Sequence, residues 1–235
     1  MGKRLIQQRR GRGTNTYRSP SFRFKGKVKH YPVQTEGRVM DIVHCAGHSA
    51  PLMEVKYSTT GDQRITFAPH GIKVGDSIVI GAGAELKGGN VLCLRDIPEG
   101  TLIHNIELRP GDGGKLVRTS GAFAKVVAKT ENSVKVLLPS KKEKMLLPEC
   151  QAAIGILAGA GRPEKPFLKA GTRFKKMRAR NKLYPKVCGI SMNAVDHPFG
   201  GKCSHIKGRP TQSPRSAPPG RKVGKIAPRR TGRKK

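Results

Sequence analysis

The residue types that could carry out chemistry are concentrated in one segment near the C-terminal end, residues 188–205, which reads CGISMNAVDHPFGGKCSH. Asp196 is followed directly by His197, and an acid–imidazole pair can transfer protons in catalysis. Catalysis of that kind also needs a nucleophile or a third group, and none is evident nearby in the sequence. We therefore predict that the protein is not an enzyme and has no catalytic residue.

Metal binding is the second kind of chemistry for which the sequence has suitable side chains. Cys188, Cys203 and His205 could supply three zinc ligands, whereas Cys45 and His48 form half of a zinc motif that no second pair completes. The chain has five cysteines, an odd number at irregular spacing, which fits reduced thiols better than disulfides. We expect no metal or other cofactor, with zinc at the first three residues as the alternative. The Gly-rich stretches match no phosphate-binding loop, so no small-molecule substrate is expected.

The same segment has the groups expected of a specific contact with RNA. Asn193 and His197 can hydrogen-bond bases, and an imidazole, mostly neutral near pH 7, suits a specific pocket better than phosphate neutralisation. Gly200 and Gly201 permit a tight backbone that approaches RNA closely, and Lys202 follows them with a positive charge. We predict that these five residues bind RNA.

Positive charge is sorted by position along the chain. The formal net charge of +32 divides into +10 for residues 1–35, +4 for residues 36–170 and +18 for residues 171–235. Like charges at this density repel one another, so the two ends need a polyanion to order them. Nucleic acid supplies dense negative charge and releases counterions when its phosphates are neutralised. The charge pattern therefore indicates a nucleic-acid-binding protein.

Further candidate RNA ligands lie in both cationic ends. The densest run, residues 173–182, reads RFKKMRARNK, and no acid nearby neutralises it, which favours phosphate binding over a solvated helix face. The predicted RNA-binding residues in the two ends are Arg9, Arg10, Arg12, Arg173, Lys175, Lys176, Arg178 and Arg180. The N-terminal end also carries aromatic residues that either pin it to its own domain or stack on unpaired bases, namely Tyr17, Phe22, Phe24 and Tyr31.

Short β-strands separated by turns are the elements that must position these groups. A first set of β-forming runs, cut by turns rich in Gly, Pro and Asp, predicts a small barrel of the OB type. A second set with hairpin turns indicates an SH3-like meander. The predicted strands are 38–43, 52–57, 64–67, 77–80 and 91–94 in the first set, and 102–107, 116–118, 123–129, 133–138, 144–147 and 154–157 in the second.

We predict a mainly β protein with an OB-like barrel at 36–100, an SH3-like barrel at 101–170, and long irregular basic extensions at 1–35 and 171–235. The N-terminal extension is expected to be extended, and frequent proline prevents long helices in the C-terminal one. The longest weakly polar run, residues 151–161, is about half the ~20 residues of a membrane span. We therefore expect no membrane partner and no targeting signal.

Several motifs closely resemble one known family. SMNAVDHPFGGK at 191–202 resembles the MNPVDHPHGGG signature of the universal large-subunit ribosomal protein L-two family, with Phe199 and Lys202 in place of a His and a Gly of the bacterial form. APHGIKVGD at 68–76, IPEGTLIHNIELRPGDGG at 97–114 and LVRTSG at 116–121 resemble the body of that family, in the same order. The QQRRGRG stretch is similar to archaeal or eukaryotic members.

The resemblance implies extensions embedded in large-subunit ribosomal RNA (rRNA), and roles in assembly, subunit association and organisation of the peptidyl-transferase region. Arg64 and Arg118 align with family positions that bind rRNA. His197 aligns with a histidine once proposed to take part in peptidyl transfer, and we carry over only its placement near functional RNA. The implied partners are rRNA and other large-subunit proteins, in cytoplasmic ribosomes.

Two other functions are compatible with a basic chain. A general DNA- or RNA-compacting protein usually shows Lys/Ala-rich helices or symmetric dimer modules, and two Gly-rich β modules argue against it. An RNA-modifying enzyme needs a cofactor loop or a catalytic constellation, and neither is present in the sequence. We therefore prefer a structural constituent of the large ribosomal subunit.

Overall fold

The computed structural model describes residues 2–18, 22–162, 164–201 and 211–229. The chain forms two compact units. The first, called the body here, is Phe22–Lys169. The second, called the terminal unit, combines Met1–Ser21 with Ala170–Lys235. The two ends of the chain therefore belong to one unit.

The described part of the body contains ten strands in one sheet. They are β1 (Thr35–Val43), β2 (Leu52–Tyr57), β3 (Gln63–Phe67), β4 (Ser77–Ile80), β5 (Val91–Cys93), β6 (Leu102–His104), β7 (Ala124–Thr130), β8 (Ser133–Leu137), β9 (Glu143–Leu146) and β10 (Gln151–Ile154). A single 3₁₀ turn, Leu94–Asp96, follows β5. The prediction of a mainly β chain with barrel-like strand sets is confirmed.

The sheet order is β3-β2-β1-β4-β5-β10-β6-β7-β8-β9. The first three strands and the run from β6 to β9 are antiparallel meanders, and β4 meets β5 in a parallel pair at Ile80 and Val91. Strand β10 joins the two sets, because Ala152 pairs with Leu92 of β5 and Ala153 pairs with His104 of β6. A barrel boundary at residue 100 stays a prediction.

Each strand set encloses its own core. In β8, Val134 and Val136 are buried in alternation with Lys135, as a strand with one face on a core requires. The larger cluster lies under the second set and consists of Leu92, Leu94, Ile97, Ile103, Ile106, Ala124, Val126, Val134, Val136, Leu146, Cys150, Ala152 and Ile154. The first set encloses Tyr31, Val39, Met53, Val55, Tyr57, Ala68, Ile78, Ile80, Val91 and Ala153.

Residues 22–34, which the sequence analysis placed in the N-terminal extension, are part of the body. Val28 and Tyr31 are each 3% exposed. Tyr31 stacks on Tyr57 with a centroid distance of 4.3 Å. The Phe24 ring packs against Gly47, where a Cβ would overlap it. For Phe24 and Tyr31, the interpretation as residues that pin the segment is therefore the one that the structure supports.

The described part of the terminal unit contains two short helices, α1 (Ile6–Gly11) and α2 (Ala170–Ala179), and a two-residue parallel pair, β11 (Gln212–Ser213) with β12 (Lys225–Ile226). A 3₁₀ turn spans Gly189–Ser191. The prediction of an extended backbone at residues 6–11 is wrong. Neither helix has a buried residue, so neither shows the apolar periodicity by which a sequence reveals a helix.

Two strand predictions are also wrong. Residues 116–118 form only an isolated bridge between Leu116 and Ile106, because Val117 has a φ of 54° and interrupts an extended backbone. The last strand lies at Gln151–Ile154 rather than at 154–157, and Gly155, with a φ of 101°, ends it. Alanine has a low β-propensity, so Ala152 and Ala153 give little indication of a strand in the sequence, although both are buried.

A buried carboxylate links the loop after β6 to the rest of the body. Glu107 is 1% exposed. Its Oε2 accepts hydrogen bonds from the backbone N–H groups of Gly111 (3.2 Å) and Gln151 (2.9 Å), and its Oε1 accepts one from Gly113 (2.8 Å). The Gly113 carbonyl in turn accepts the His30 N–H at 3.1 Å. The loop, β10 and the N-terminal segment of the body therefore meet at one residue.

Replacing Glu107 by Ala should lower the free energy of unfolding by about 3 kcal/mol or more, because buried backbone N–H groups lose their acceptor. The matched control is Glu143→Ala on β9, where the carboxylate is half exposed and forms a 3.2 Å ion pair with Lys135. That change should cost less than about 1 kcal/mol. Urea unfolding of the two full-length variants measures the difference, and equal losses would contradict the role assigned to Glu107.

Candidate nucleic-acid interface

Arg64 projects from β3 on an aromatic support. Its Cζ lies 4.8 Å from the centroid of the Tyr31 ring, and its Nη2 lies 3.5 Å from Asp62 Oδ2. The Tyr31 hydroxyl lies 2.7 Å from Thr60 Oγ1 and donates to Asp62 Oδ2 at 3.3 Å. The Arg64 side chain remains 48% exposed. A guanidinium held in this way offers a pre-oriented fork of N–H donors to a phosphate or a base edge.

The supports of Arg64 were missed by sequence reasoning. Asp62 precedes Arg64 by two residues, a spacing that places both side chains on one face of an extended segment, and this signal was available. Tyr31 lies 33 positions before Arg64 in the sequence, and only the packing of residues 22–34 on the sheet brings the two together. No local pattern reports such a contact.

Arg118 is engaged within the body. Its Nη2 donates to the Val28 carbonyl oxygen at 2.8 Å, and its Nη1 donates to the Gly114 carbonyl oxygen at 3.1 Å. Its Cζ lies 5.0 Å from the centroid of the Phe67 ring. Burial lowers the pKa of Arg118 from its ordinary value, and an arginine still keeps its charge near neutral pH. Arg118 thus joins the N-terminal segment to two other parts of the body, while its RNA contact stays a prediction.

His197 lies in a compact turn of the terminal unit. Its Nδ1 accepts the Phe199 backbone N–H at 3.0 Å, so in the neutral ring the proton resides on Nε2. Partial burial lowers the pKa of His197 below its ordinary value, which favours the neutral form. The ring lies against Gly189, where a Cβ would overlap it, and 5.1 Å from the Phe199 ring centroid. His197 is therefore an oriented, uncharged hydrogen-bonding group.

The predicted RNA ligands of the 188–201 region are brought together by backbone hydrogen bonds. His197 N donates to the Asn193 carbonyl oxygen at 3.2 Å, and Gly200 N donates to the His197 carbonyl oxygen at 2.9 Å. A Cβ at Gly200 would overlap the Asn193 carbonyl group, and Gly201 has a φ of 116°. Both glycines are therefore required by this turn. The predicted ligand Lys202 lies outside the described residues.

The cationic residues predicted at the two ends remain accessible in the terminal unit. Arg173 Cζ lies 5.3 Å from the centroid of the Tyr184 ring. Lys176 and Arg180 are partly exposed. The exposed members of the predicted set are Arg9, Arg10, Arg12, Arg173, Lys175 and Arg178. The structure therefore groups the two cationic ends in one unit, whereas Arg64 and Arg118 lie in the body.

Two of the three residues of the zinc alternative, Cys203 and His205, lie outside the described residues. Cys188 is exposed. His48 Nδ1 lies 3.1 Å from the Sγ of Cys45, but within the described ranges no three His, Cys, Asp or Glu side chains form a group that could hold a metal ion. Nor does the part of the chain that the structure describes include a helix long and apolar enough to cross a membrane.

Comparison with known proteins gives consistent matches along the whole chain. Residues 87–220 match the family described as Ribosomal Proteins L2, C-terminal domain. The chain is 50% identical to large ribosomal subunit protein uL2 of Methanothermobacter thermautotrophicus, with all of both chains covered. It is also 50% identical to uL2 of Methanococcus vannielii, again with full coverage of both. It is 49% identical to uL2 of Natronomonas pharaonis, covering 99% of this chain and 97% of the relative.

Replacing Arg118 by Ala should destabilise the body by about 2 kcal/mol, because two backbone carbonyl groups lose a charged donor and Phe67 loses its stacked partner. Arg118→Lys should recover only part of this loss, since an ammonium cannot reproduce the fork. Arg109→Ala, in the neighbouring loop, is the control and should change the free energy of unfolding by less than about 1 kcal/mol. Guanidinium unfolding monitored by circular dichroism decides the question, and a stable Arg118→Ala variant would refute the structural role.

Proposed function

The chain belongs to the ribosomal protein L2 family, of the archaeal type, and on that premise we propose that it binds large-subunit rRNA through its terminal unit and through Arg64 of the body. It is a structural component of the large ribosomal subunit in the cytoplasm and not an enzyme. Family membership decides against the two alternatives of the sequence analysis, a general nucleic-acid-compacting protein and an RNA-modifying enzyme.

The observation that carries the rRNA proposal is the exposure of cationic side chains in the terminal unit. No residue of helix α2 is buried in the part of the chain that the structure describes. Arg173, Lys175 and Arg178 are exposed on it, as are Arg9 and Arg10 on α1. Asp196, the one acid among residues 171–235, lies 3.7 Å from the Lys3 ammonium. Nucleic acid phosphates are the counterions that such a surface fits best.

The body contributes a different kind of contact. Arg64 is fixed over Tyr31 before RNA arrives, so it loses less side-chain freedom on binding than a flexible lysine would. His197 contributes a third kind, because it is neutral and oriented rather than cationic. We propose that Arg64 binds a phosphate or base edge and that His197 and Asn193 hydrogen-bond RNA in its folded form.

We further propose that these contacts support subunit assembly, association of the subunits and organisation of the peptidyl-transferase region, next to other large-subunit proteins. In this proposal His197 acts through local RNA packing and not as a catalytic group, since Nδ1 already accepts a backbone hydrogen bond. No metal or other cofactor is needed for any of these contacts.

Arg64→Ala should weaken binding of the full chain to large-subunit rRNA by about 1–3 kcal/mol, or roughly 5- to 150-fold, and reduce the slope of log K against log salt by about one. Arg64→Lys should restore the slope but not the full affinity, because the fork is lost. The control is Arg95→Ala, another exposed arginine of the body, which lies 3.7 Å from Asp96. Filter binding over a salt series measures both quantities, and equal effects of Arg64→Ala and Arg95→Ala would defeat the assignment.

A further inference from the structure

The terminal unit contains a cavity of about 610 Å³ between α1 and residues 183–197. Its two walls come from opposite ends of the chain. They are joined by a 2.7 Å hydrogen bond from Lys3 N to the Val195 carbonyl oxygen and by the 3.7 Å ion pair of Lys3 with Asp196. The volume is in the range of about 300–1,000 Å³ that is usual for small-ligand sites. The sequence alone does not indicate this cavity.

The walls of the cavity combine an apolar surface with a cationic rim. Leu5, Leu183, Val187 and Met192 supply the apolar surface, and Leu5 is only 6% exposed. The cationic lining residues are Arg4, Arg9, Arg10 and Lys186. Among the described lining residues the only acid is Asp196, which is already paired with Lys3. Such a site favours a ligand that has both an apolar part and a negative charge.

Fixed hydrogen-bonding groups also line the cavity. Asn193 lies on its wall, and so does His197, whose imidazole is held between Gly189 and Phe199. Because Nδ1 of His197 accepts the Phe199 N–H, Nε2 carries the donor proton of the neutral ring. A donor of fixed position and an amide beside an apolar wall match the needs of a nucleobase, which has a hydrogen-bonding edge and a stacking face.

We propose that this cavity binds one unpaired nucleotide of RNA, with the base against the apolar wall and its phosphates at the Arg9 and Arg10 rim. The inference rests on the proposed rRNA-binding function and makes it more specific. A base in a duplex is stacked and paired, so its edge and faces are not free to enter a pocket. The protein should therefore bind single-stranded RNA more tightly than duplex RNA of the same sequence. Phosphate contacts alone would not give this difference in affinity.

The test uses the full chain and a 12-nucleotide single-stranded RNA that carries 2-aminopurine at its centre, compared with the same strand in a duplex. Val187→Arg should fill the cavity while it adds a positive charge. We expect it to lower affinity for the single strand about tenfold, to abolish the change in 2-aminopurine fluorescence, and to leave duplex affinity equal or higher. Val187 is 52% exposed, so the fold should tolerate the change.

The matched control is Ile226→Arg, which adds the same charge in the same unit at a position 53% exposed and outside the cavity lining. It should bind both RNAs at least as tightly as the unaltered chain. A second pair removes charge instead. Arg9→Ala should lower the preference for single strands, whereas Arg12→Ala, which does not line the cavity, should weaken both RNAs equally.

Equal behaviour of Val187→Arg and Ile226→Arg, or no preference of the unaltered chain for the single strand, would overturn the nucleotide site. Either result would leave the proposed function standing as long as the chain still binds large-subunit rRNA in a salt-dependent manner. Failure of the unaltered chain to bind that rRNA at all would instead refute the proposed function.

Discussion

Glu107 is 1% exposed, both of its carboxylate oxygens accept backbone N–H groups, and three segments of the body meet at it. A buried carboxylate is costly unless its hydrogen bonds replace those of water. Here the bonds fix the Arg109–Gly114 loop, and the Gly113 carbonyl of that loop receives the His30 N–H. His30 Nε2 also lies 2.5 Å from the Asn105 carbonyl oxygen, and burial lowers the pKa of His30, which keeps the ring neutral.

The N-terminal segment of the body, residues 22–34, connects the loop held by Glu107 to Arg64 and Arg118. Val28 accepts a hydrogen bond from Arg118, and Tyr31 lies under Arg64. The two arginines that the family resemblance marks as rRNA ligands are therefore placed by one segment, residues 22–34, and that segment is fixed by the loop that Glu107 holds. In this account the body holds individual arginine side chains in fixed orientations, whereas the terminal unit supplies exposed positive charge. Arg118 shows that a side chain marked by a motif can also have a structural role.

The strands with large apolar or β-branched residues could be predicted from the sequence, and β2 (Leu52–Tyr57) and β4 (Ser77–Ile80) have the predicted bounds. Strand β10 could not be placed correctly, because its signal consists of small alanines. The helices α1 and α2 bury no residue, so periodicity gives no sign of them. Of the predicted RNA ligands, Arg64 in the body and His197 in the terminal unit could each be identified by motif. The contacts that orient them come from Tyr31 and Gly189, and those contacts depend on tertiary packing.

The central claim is that the protein is held in the large subunit by many phosphate contacts together with a few oriented groups. Sedimentation of native ribosomal subunits through gradients of rising salt tests it most directly. The account predicts that the protein sediments with the large subunit at moderate salt and leaves it only at very high salt or under denaturing conditions. Sedimentation apart from the large subunit at moderate salt would contradict the account.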